Sequence, residues 1–344
     1  MKKTVIILIL NITFLLSKDS FIDICKNPTI EQQKTINALI EGYNEFRKMD
    51  INRPLLDQKD PHICEKLAKG KGFPNITSKD ISDLSIIKYF SANESLNLWN
   101  NKISDITALK YLTKLTKLNL GLNNVSKGVE SLENLPLKEL NIDITENIDL
   151  KYIGNIKTLE YLSIWGGQNT QSLNNLINLK SLSLASVDIQ SLCDLKGLQS
   201  LKSLDLRWNK NLSSLECIDE FKNLKKLNIK GSPITDLTPL IHADSIEEFH
   251  FYQMPVKDIS PLAKMKNLNS ILFTETKIKY LSPLKESKSI KFAEDLSEKL
   301  IEEYFNRSLA HCSPKNMEEV REGKSCFEKD GKTLKPWWKR WFGL

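Results

Sequence analysis

The stretch "LKSLSLASVDIQSLCDLKGLQS", Leu179 to Ser200, decides the fold. Its apolar pattern is carried by Leu179, Leu182, Leu184, Val187, Ile189, Leu192, Leu195 and Leu198, with gaps of 3, 2, 3, 2, 3, 3 and 3. Neither a single helix face nor a simple alternating strand produces that series. The stretch recurs. With the first leucine as position 1, repeats open at Asn93, Leu115, Leu137, Leu159, Leu179, Leu201, Leu224, Ile246 and Leu268, in steps of 22, 22, 22, 20, 22, 23, 22 and 22 residues. A degenerate unit precedes them, with Ile81 and Leu84 matching Ile103 and Ile106, and a partial one follows near Ile290.

Recurrence gives the gaps a meaning. Positions 4 and 6 share one face of a short strand. Positions 14, 17 and 20 suit a tight helical turn with i, i+3 eclipsing. A single unit cannot bury its leucines, whereas stacked units bury a continuous column. The return segments "ISDLSII", "ISDITAL", "ITDLTPL", "VKDISPL" and "IKYLSPL" occupy equivalent places. In Thr238-Pro239, Ser260-Pro261 and Ser282-Pro283 a hydroxyl precedes a proline, which reads as an N-cap followed by the first helical position.

On these residues the chain resembles leucine-rich repeat proteins of the 22-residue type, the internalins and the SDS22-like phosphatase regulators, over roughly Ile81 to Leu284. The resemblance implies an α/β repeat solenoid: a horseshoe with short parallel strands on the concave side, tight turns on the convex side and helical caps. It also implies protein recognition on the concave face. The asparagine usual at position 9 survives as Asn101, Asn123 and Asn209. Thr145, Gly167, Val187, Ser232, Met254 and Thr276 stand in the other repeats, so the asparagine ladder is expected to be broken.

The formal net charge is +6 over 344 residues. Lys2 and Lys3 contribute +2, and residues 324–344, with six basic and two acidic side chains, contribute +4, leaving the repeat body near neutral. A nucleic-acid partner is not indicated. "MKKTVIILILNITFLLS", residues 1–17, reads as a secretory leader, and an uncleaved anchor is the alternative. Export to a secreted, periplasmic or cell-envelope location follows, and with it disulfides. Cys25 with Cys64, and Cys312 with Cys326, are the expected pairs; Cys193 and Cys217, in adjacent repeats, pair or stay apart depending on the residue inserted in the sixth repeat.

Residues 18–80 form the N-terminal cap in this reading, with a helix over Thr29–Phe46 burying Ile30, Ile36, Leu39, Ile40 and Tyr43. Residues 81–290 are the repeats and 291–344 the C-terminal cap, with a second helix over Asp295–Leu309. The tail "KPWWKRWFGL" interleaves Trp337, Trp338 and Trp341 with cations. It either packs on the cap or contacts a membrane surface peripherally.

No phosphate-cradling glycine loop, GxSxG or HExxH is present, so neither an enzyme, a cofactor nor a metal site is expected. The strand side chains at positions 3, 5 and 7 alternate away from the leucines. They put Trp99, Tyr161, Trp165, Asp205, Arg207, His250 and Tyr252, joined by Trp208 at position 8, on the expected ligand face. Large aromatics among small polar residues suit protein recognition. The expected function is a monomeric, non-enzymatic, exported scaffold binding a protein or peptide. The alternative is a structural envelope protein held at a membrane by its tryptophan tail.

Overall fold

The computed structural model describes residues 21–47, 55–69, 75–278, 281–284 and 291–292. The leader, the Asp295–Leu309 helix, the Cys312/Cys326 pair and the Trp337, Trp338 and Trp341 tail lie outside the described residues. The chain divides into two compact units. The first runs to Ile189 and includes Asp194–Asp205; the second comprises Gln190–Cys193 and the chain from Leu206 onward.

The first unit carries helices α1 (Ile30–Arg47) and α2 (Ile63–Lys69). Its strands are β1 (Ser95–Asn97), β2 (Lys117–Val125), β3 (Glu139–Ile144), β4 (Tyr161–Trp165), β5 (Ser181–Ala185) and β6 (Ser203–Asp205). Each strand pairs in parallel with the next in sequence. The register sets Leu96, Leu118, Leu140, Leu162, Leu182 and Leu204 in one row, all buried. The 20-residue repeat is absorbed without a slip, since Tyr161 pairs with Ser181 and Trp165 with Ala185. Full burial of each leucine contributes about 1.5–3 kcal/mol.

The second unit carries β7 (Lys226–Asn228), β8 (Glu248–Tyr252), β9 (Ser270–Thr274) and β10 (Lys291–Phe292), again parallel and in sequence order. Here phenylalanines take over the strand core. Phe249 and Phe251 stack at 4.7 Å and Phe251 and Phe273 at 5.3 Å between ring centroids. Pairing of Lys291 with Ser270 puts residue 289 at position 1 of the partial unit.

Return segments are single 3-10 turns, as at Thr107–Tyr111, Thr170–Asn175, Thr238–His242 and Ser260–Lys264; Lys151–Gly154 closes as one α turn. Their caps differ from the sequence expectation. Thr238 and Ser260 are the first residues of their turns, and no side-chain bond caps the residue before them. The aspartate two residues earlier does the capping: Thr238 N–H donates to Asp236 Oδ1 and Ser260 N–H to Asp258 Oδ1, both at 2.8 Å. The same bond recurs from Ser85 to Asp83, Thr107 to Asp105 and Lys151 to Asp149. A carboxylate two residues back reaches this amide more easily than a hydroxyl on its own residue.

At the N-terminal end, Thr29 and Gln32 form a reciprocal capping box that starts α1. Ile36, Leu39 and Ile40 are buried as expected, but Ile30 is 79% exposed. It stands in the first turn, ahead of the point where α1 meets the stack. Thr35 Oγ1 donates to Asp83 O at 2.7 Å, and a Cβ on Gly42 would come 2.2 Å from Asn75 O, so the helix presses directly on the first repeat. Asn75 bridges Asn97 in parallel, extending the stack by one residue pair before β1. Cys25 and Cys64 form a disulfide that ties residues 21–26 to α2. Cys193 and Cys217 also pair, with Cα atoms 5.2 Å apart. Their separation of 24 exceeds the 22-residue period, and Cys217 takes up the difference in a left-handed turn, φ 65°.

The asparagine ladder is local. Asn101 Nδ2 donates to Ile76 O and Leu98 O, and Asn123 Nδ2 to Leu98 O and Leu120 O. Farther on, Ser232 Oγ replaces the amide by donating to Ile229 O.

Candidate binding face

Position 8 is a left-handed corner in most repeats. Asn100, Leu122, Gly166 and Ser186 in the first unit have positive φ, as do Trp208, Gly231, Gln253 and Glu275 in the second. The third repeat is the exception: Ile144 there is buried at the end of β3 and pairs with Val125, the extra residues lying on β2 between Leu120 and Val125. Asparagine and glycine tolerate this corner, whereas a large side chain is strained there. Leu122 and Trp208 nevertheless occupy it, and both side chains are exposed, 53% and 37%.

On the strand face of the first unit, strand parity puts Trp99, Tyr161 and Trp165 outward, and they are 39%, 47% and 49% exposed. Tyr161 and Trp165 flank Ser163 on β4. A shallow groove of about 420 Å³ crosses β1 to β5, lined by Asn97, Asn119, Asn141, Tyr161, Ser163 and Ser183 among others. The asparagines are held in place. Asn141 Nδ2 donates to Asn119 Oδ1 at 3.0 Å, and Asn97 Oδ1 and Asn119 Oδ1 accept the amides of Trp99 and Gly121. Lys117 and Glu139 pair across the groove at 2.6 Å.

Between the two tryptophans position 7 is occupied by Gly121 and Asp143. A Cβ on Gly121 would lie 3.2 Å from Trp99 Cδ1 and 2.8 Å from Asn141 Nδ2, so the indole rests against a bare backbone. Asp143 is half-buried and in register with Trp165. Leu122 N–H donates to Asp143 Oδ2 at 2.7 Å. Burial pushes the Asp143 carboxyl up, and the Leu122 amide only partly offsets this. Asp205, also in this unit, is half-buried at the end of β6.

In the second unit Lys230 is held between rings. Its Nζ lies 4.9 Å from the Trp208 ring centroid and 5.8 Å from that of Tyr252. Gly231 makes the arrangement feasible, since a Cβ there would come 2.6 Å from Trp208 Cε3. His250 and Tyr252 meet edge to face at 6.4 Å, and burial raises the Tyr252 phenol. Arg207 is exposed.

The expected residues therefore fall into separate groups: Trp99, Tyr161, Trp165 and Asp205 in the first unit, Arg207, Trp208, His250 and Tyr252 in the second. Strand parity puts Asp143 and Lys230 at position 7 of the inner face without giving them a part in binding, and sequence reasoning missed Leu122. A large apolar residue at a corner that asparagine or glycine usually fills was the available signal for Leu122. Among the described residues no group of three or more His, Cys, Asp or Glu could hold a metal ion. No helix there is long and apolar enough to cross a membrane.

No family model and no curated protein matches the sequence. Solved structures do. The chain is similar to an internalin (inlF) from Listeria monocytogenes at 19% identity and a TM-score of 0.42, over 76% of this chain and 95% of that one. It is similar to internalin C2 of the same organism at 23% identity and a TM-score of 0.37, over 74% and 92%. The Listeria monocytogenes InlJ functional domain is matched at 17% identity and a TM-score of 0.47, over 65% and 54%. The fold itself is read from the chain's own repeats. Parallel strands a repeat apart, left-handed corners and 3-10 returns give the chain the architecture of a leucine-rich repeat solenoid.

Proposed function

We propose that the protein is an exported, non-enzymatic scaffold that binds a protein or peptide on the strand face of its first unit. One observation carries the reading: Trp99, Tyr161 and Trp165 stand exposed on the strand face, and Tyr161 lines a groove floored by asparagine and serine side chains. A monomer gains nothing in stability by holding three large rings in water, while a partner that covers them gains their desolvation. Tyr161 and Trp165 form the hot spot, because Ser163 between them leaves room for an inserted side chain. The groups around Trp208, Tyr252, His250 and Arg207 form a second contact area on the other unit.

Two disulfides support export, since such bonds persist in oxidising compartments. In the same reading residues 1–17 are a removable leader, residues 291–344 cap the last repeat and the chain acts as a monomer.

The test is capture from extracellular and envelope fractions by the immobilised full chain, its Trp165→Ala variant and an Ile177→Ala control. Ile177 is exposed but lies outside the strands. A partner retained by wild type and control and lost by Trp165→Ala supports the reading. Equal retention by all three refutes it.

A further inference from the structure

Any partner that covers Trp99 and Trp165 also covers Asp143, and this restricts its chemistry. The tryptophans are three strands apart, roughly 14 Å at about 4.8 Å per strand. Gly121 and Asp143 form the floor between them, the first without a side chain and the second with a short one. Trp99 leans against Gly121, and Asp143 is the direct neighbour of Trp165 across the β3–β4 pair. Position 7 of four successive repeats therefore carries two exposed indoles with a glycine and a half-buried carboxylate between them.

That carboxylate is under-compensated. It is half-buried, and among the described residues the amide of Leu122 is the group that favours its charged form. Among the described residues no lysine or arginine takes part in its stabilisation, and the cation of this face, Lys117, is paired with Glu139. Removing the remaining water from an unpaired carboxylate is unfavourable unless a positive charge replaces it. The exposed indoles on either side of it attract a cation independently. The strained corner at Leu122 points the same way, since its amide fixes the carboxylate oxygen in place.

We infer that the partner presents a lysine or arginine side chain, which enters between Trp99 and Trp165 and pairs with Asp143. This rests on the strand face of the first unit being the binding surface. The groove across β1 to β5 receives the flanking residues of the same segment, and Asn97, Asn119 and Asn141 supply amide hydrogen-bonding groups to it.

The experiment is selection of a displayed random 12-residue peptide library on the immobilised full-length protein, followed by affinity measurement on synthetic peptides. Three comparisons are made for each peptide: binding to Trp165→Ala, binding to Asp143→Asn, and binding of the peptide with its arginine replaced by citrulline, a neutral isostere. The last leaves the protein untouched, so it stands even if a substitution at Asp143 disturbs folding. The expected result is a set of peptides that need Trp165, are enriched in arginine or lysine, and bind at least tenfold more weakly after citrulline replacement. Asp143→Asn should weaken them to the same extent, and citrulline replacement should then add little further loss. Peptides that need Trp165 but show no cation enrichment and no citrulline effect overturn this inference and leave the binding face standing. Failure to recover any peptide that depends on Trp165 overturns both.

Discussion

Removing the Cys193–Cys217 bridge should weaken the fold by an amount that the loop length sets. The bridge closes 24 residues of chain. In the chain-entropy treatment, a closed loop of that length restricts the unfolded chain by about 11.6 cal/mol/K, or about 3.5 kcal/mol at 25 °C. Folded-state losses are small by comparison, because both cysteines are only half-buried and the return segments retain Leu192, Leu195 and Ile218 in the core. The perturbation is the double variant Cys193→Ala/Cys217→Ala, which avoids mixed disulfides. Urea unfolding followed by circular dichroism should show a midpoint about 1 M lower for a slope of roughly 3 kcal/mol/M. Reduced wild-type protein, with Cys25–Cys64 also broken, should be weaker still, since the 39-residue loop there adds about 3.9 kcal/mol by the same relation. A loss below about 1 kcal/mol in the double variant would refute the reasoning. It would mean that neighbouring repeats already restrict the unfolded chain between residues 193 and 217.

Four further outcomes follow from the same geometry. Leu182→Ala should lower stability by about 2–5 kcal/mol in the same urea titration, because its side chain is fully enclosed in the strand row. Trp165→Ala should weaken partner binding by about 2 kcal/mol or more in calorimetry, with a much smaller change in urea midpoint than Leu182→Ala. Asp236→Ala should remove about 1 kcal/mol by uncapping the Thr238–His242 turn, and Asp236→Asn, which still offers an oxygen to the Thr238 amide, should lose less. Burial alone would raise the Asp105 carboxyl, but bonds from Thr107 and the Lys127 ammonium overcome it and bring its pKa to about 2, below the ordinary 3.8. A depressed carboxyl stabilises the fold above its unfolded pKa and loses that contribution as pH falls toward the folded one. The stability difference between wild type and Asp105→Asn should therefore be constant above about pH 5 and shrink between about pH 4 and 2 in acid melts.

The leucine frame was legible because hydropathy spacing records it directly. The gaps of 3 and 2 map onto strand entry and strand face, and the final gaps of 3 onto the 3-10 return. Strand parity then put Trp99, Tyr161 and Trp165 outward without any structural information. What remained hidden depends on contacts between repeats or on backbone conformation. The capping role of Asp236 and Asp258 was written in "ITDLTPL" and "VKDISPL", yet the neighbouring hydroxyl and proline gave an equally familiar pattern. Leu122 stood out in no pattern, since hydropathy does not reveal a left-handed corner. Asp143 looked like a solvated charge, whereas it is half-buried and accepts the Leu122 amide, 21 residues before it in sequence. The position of Lys230 between Trp208 and Tyr252 is a matter of rotamers, and spacing says nothing about those.

The strand face and the leucine row occupy alternate residues of the same short strands, and this separates two kinds of information in one segment. On β4, Leu162 and Ile164 answer to the fold, while Tyr161, Ser163 and Trp165 answer to whatever lies outside it. Substitution in the second set leaves the frame intact, so recognition can drift, sharpen or be redesigned one side chain at a time. The exceptions are the few places where the two sets meet. Gly121 beneath Trp99 and Gly231 beneath Trp208 are bare because a ring rests on each. At such a pair, a new specificity has to be acquired by both residues together, and these glycines mark where the surface is least free to evolve.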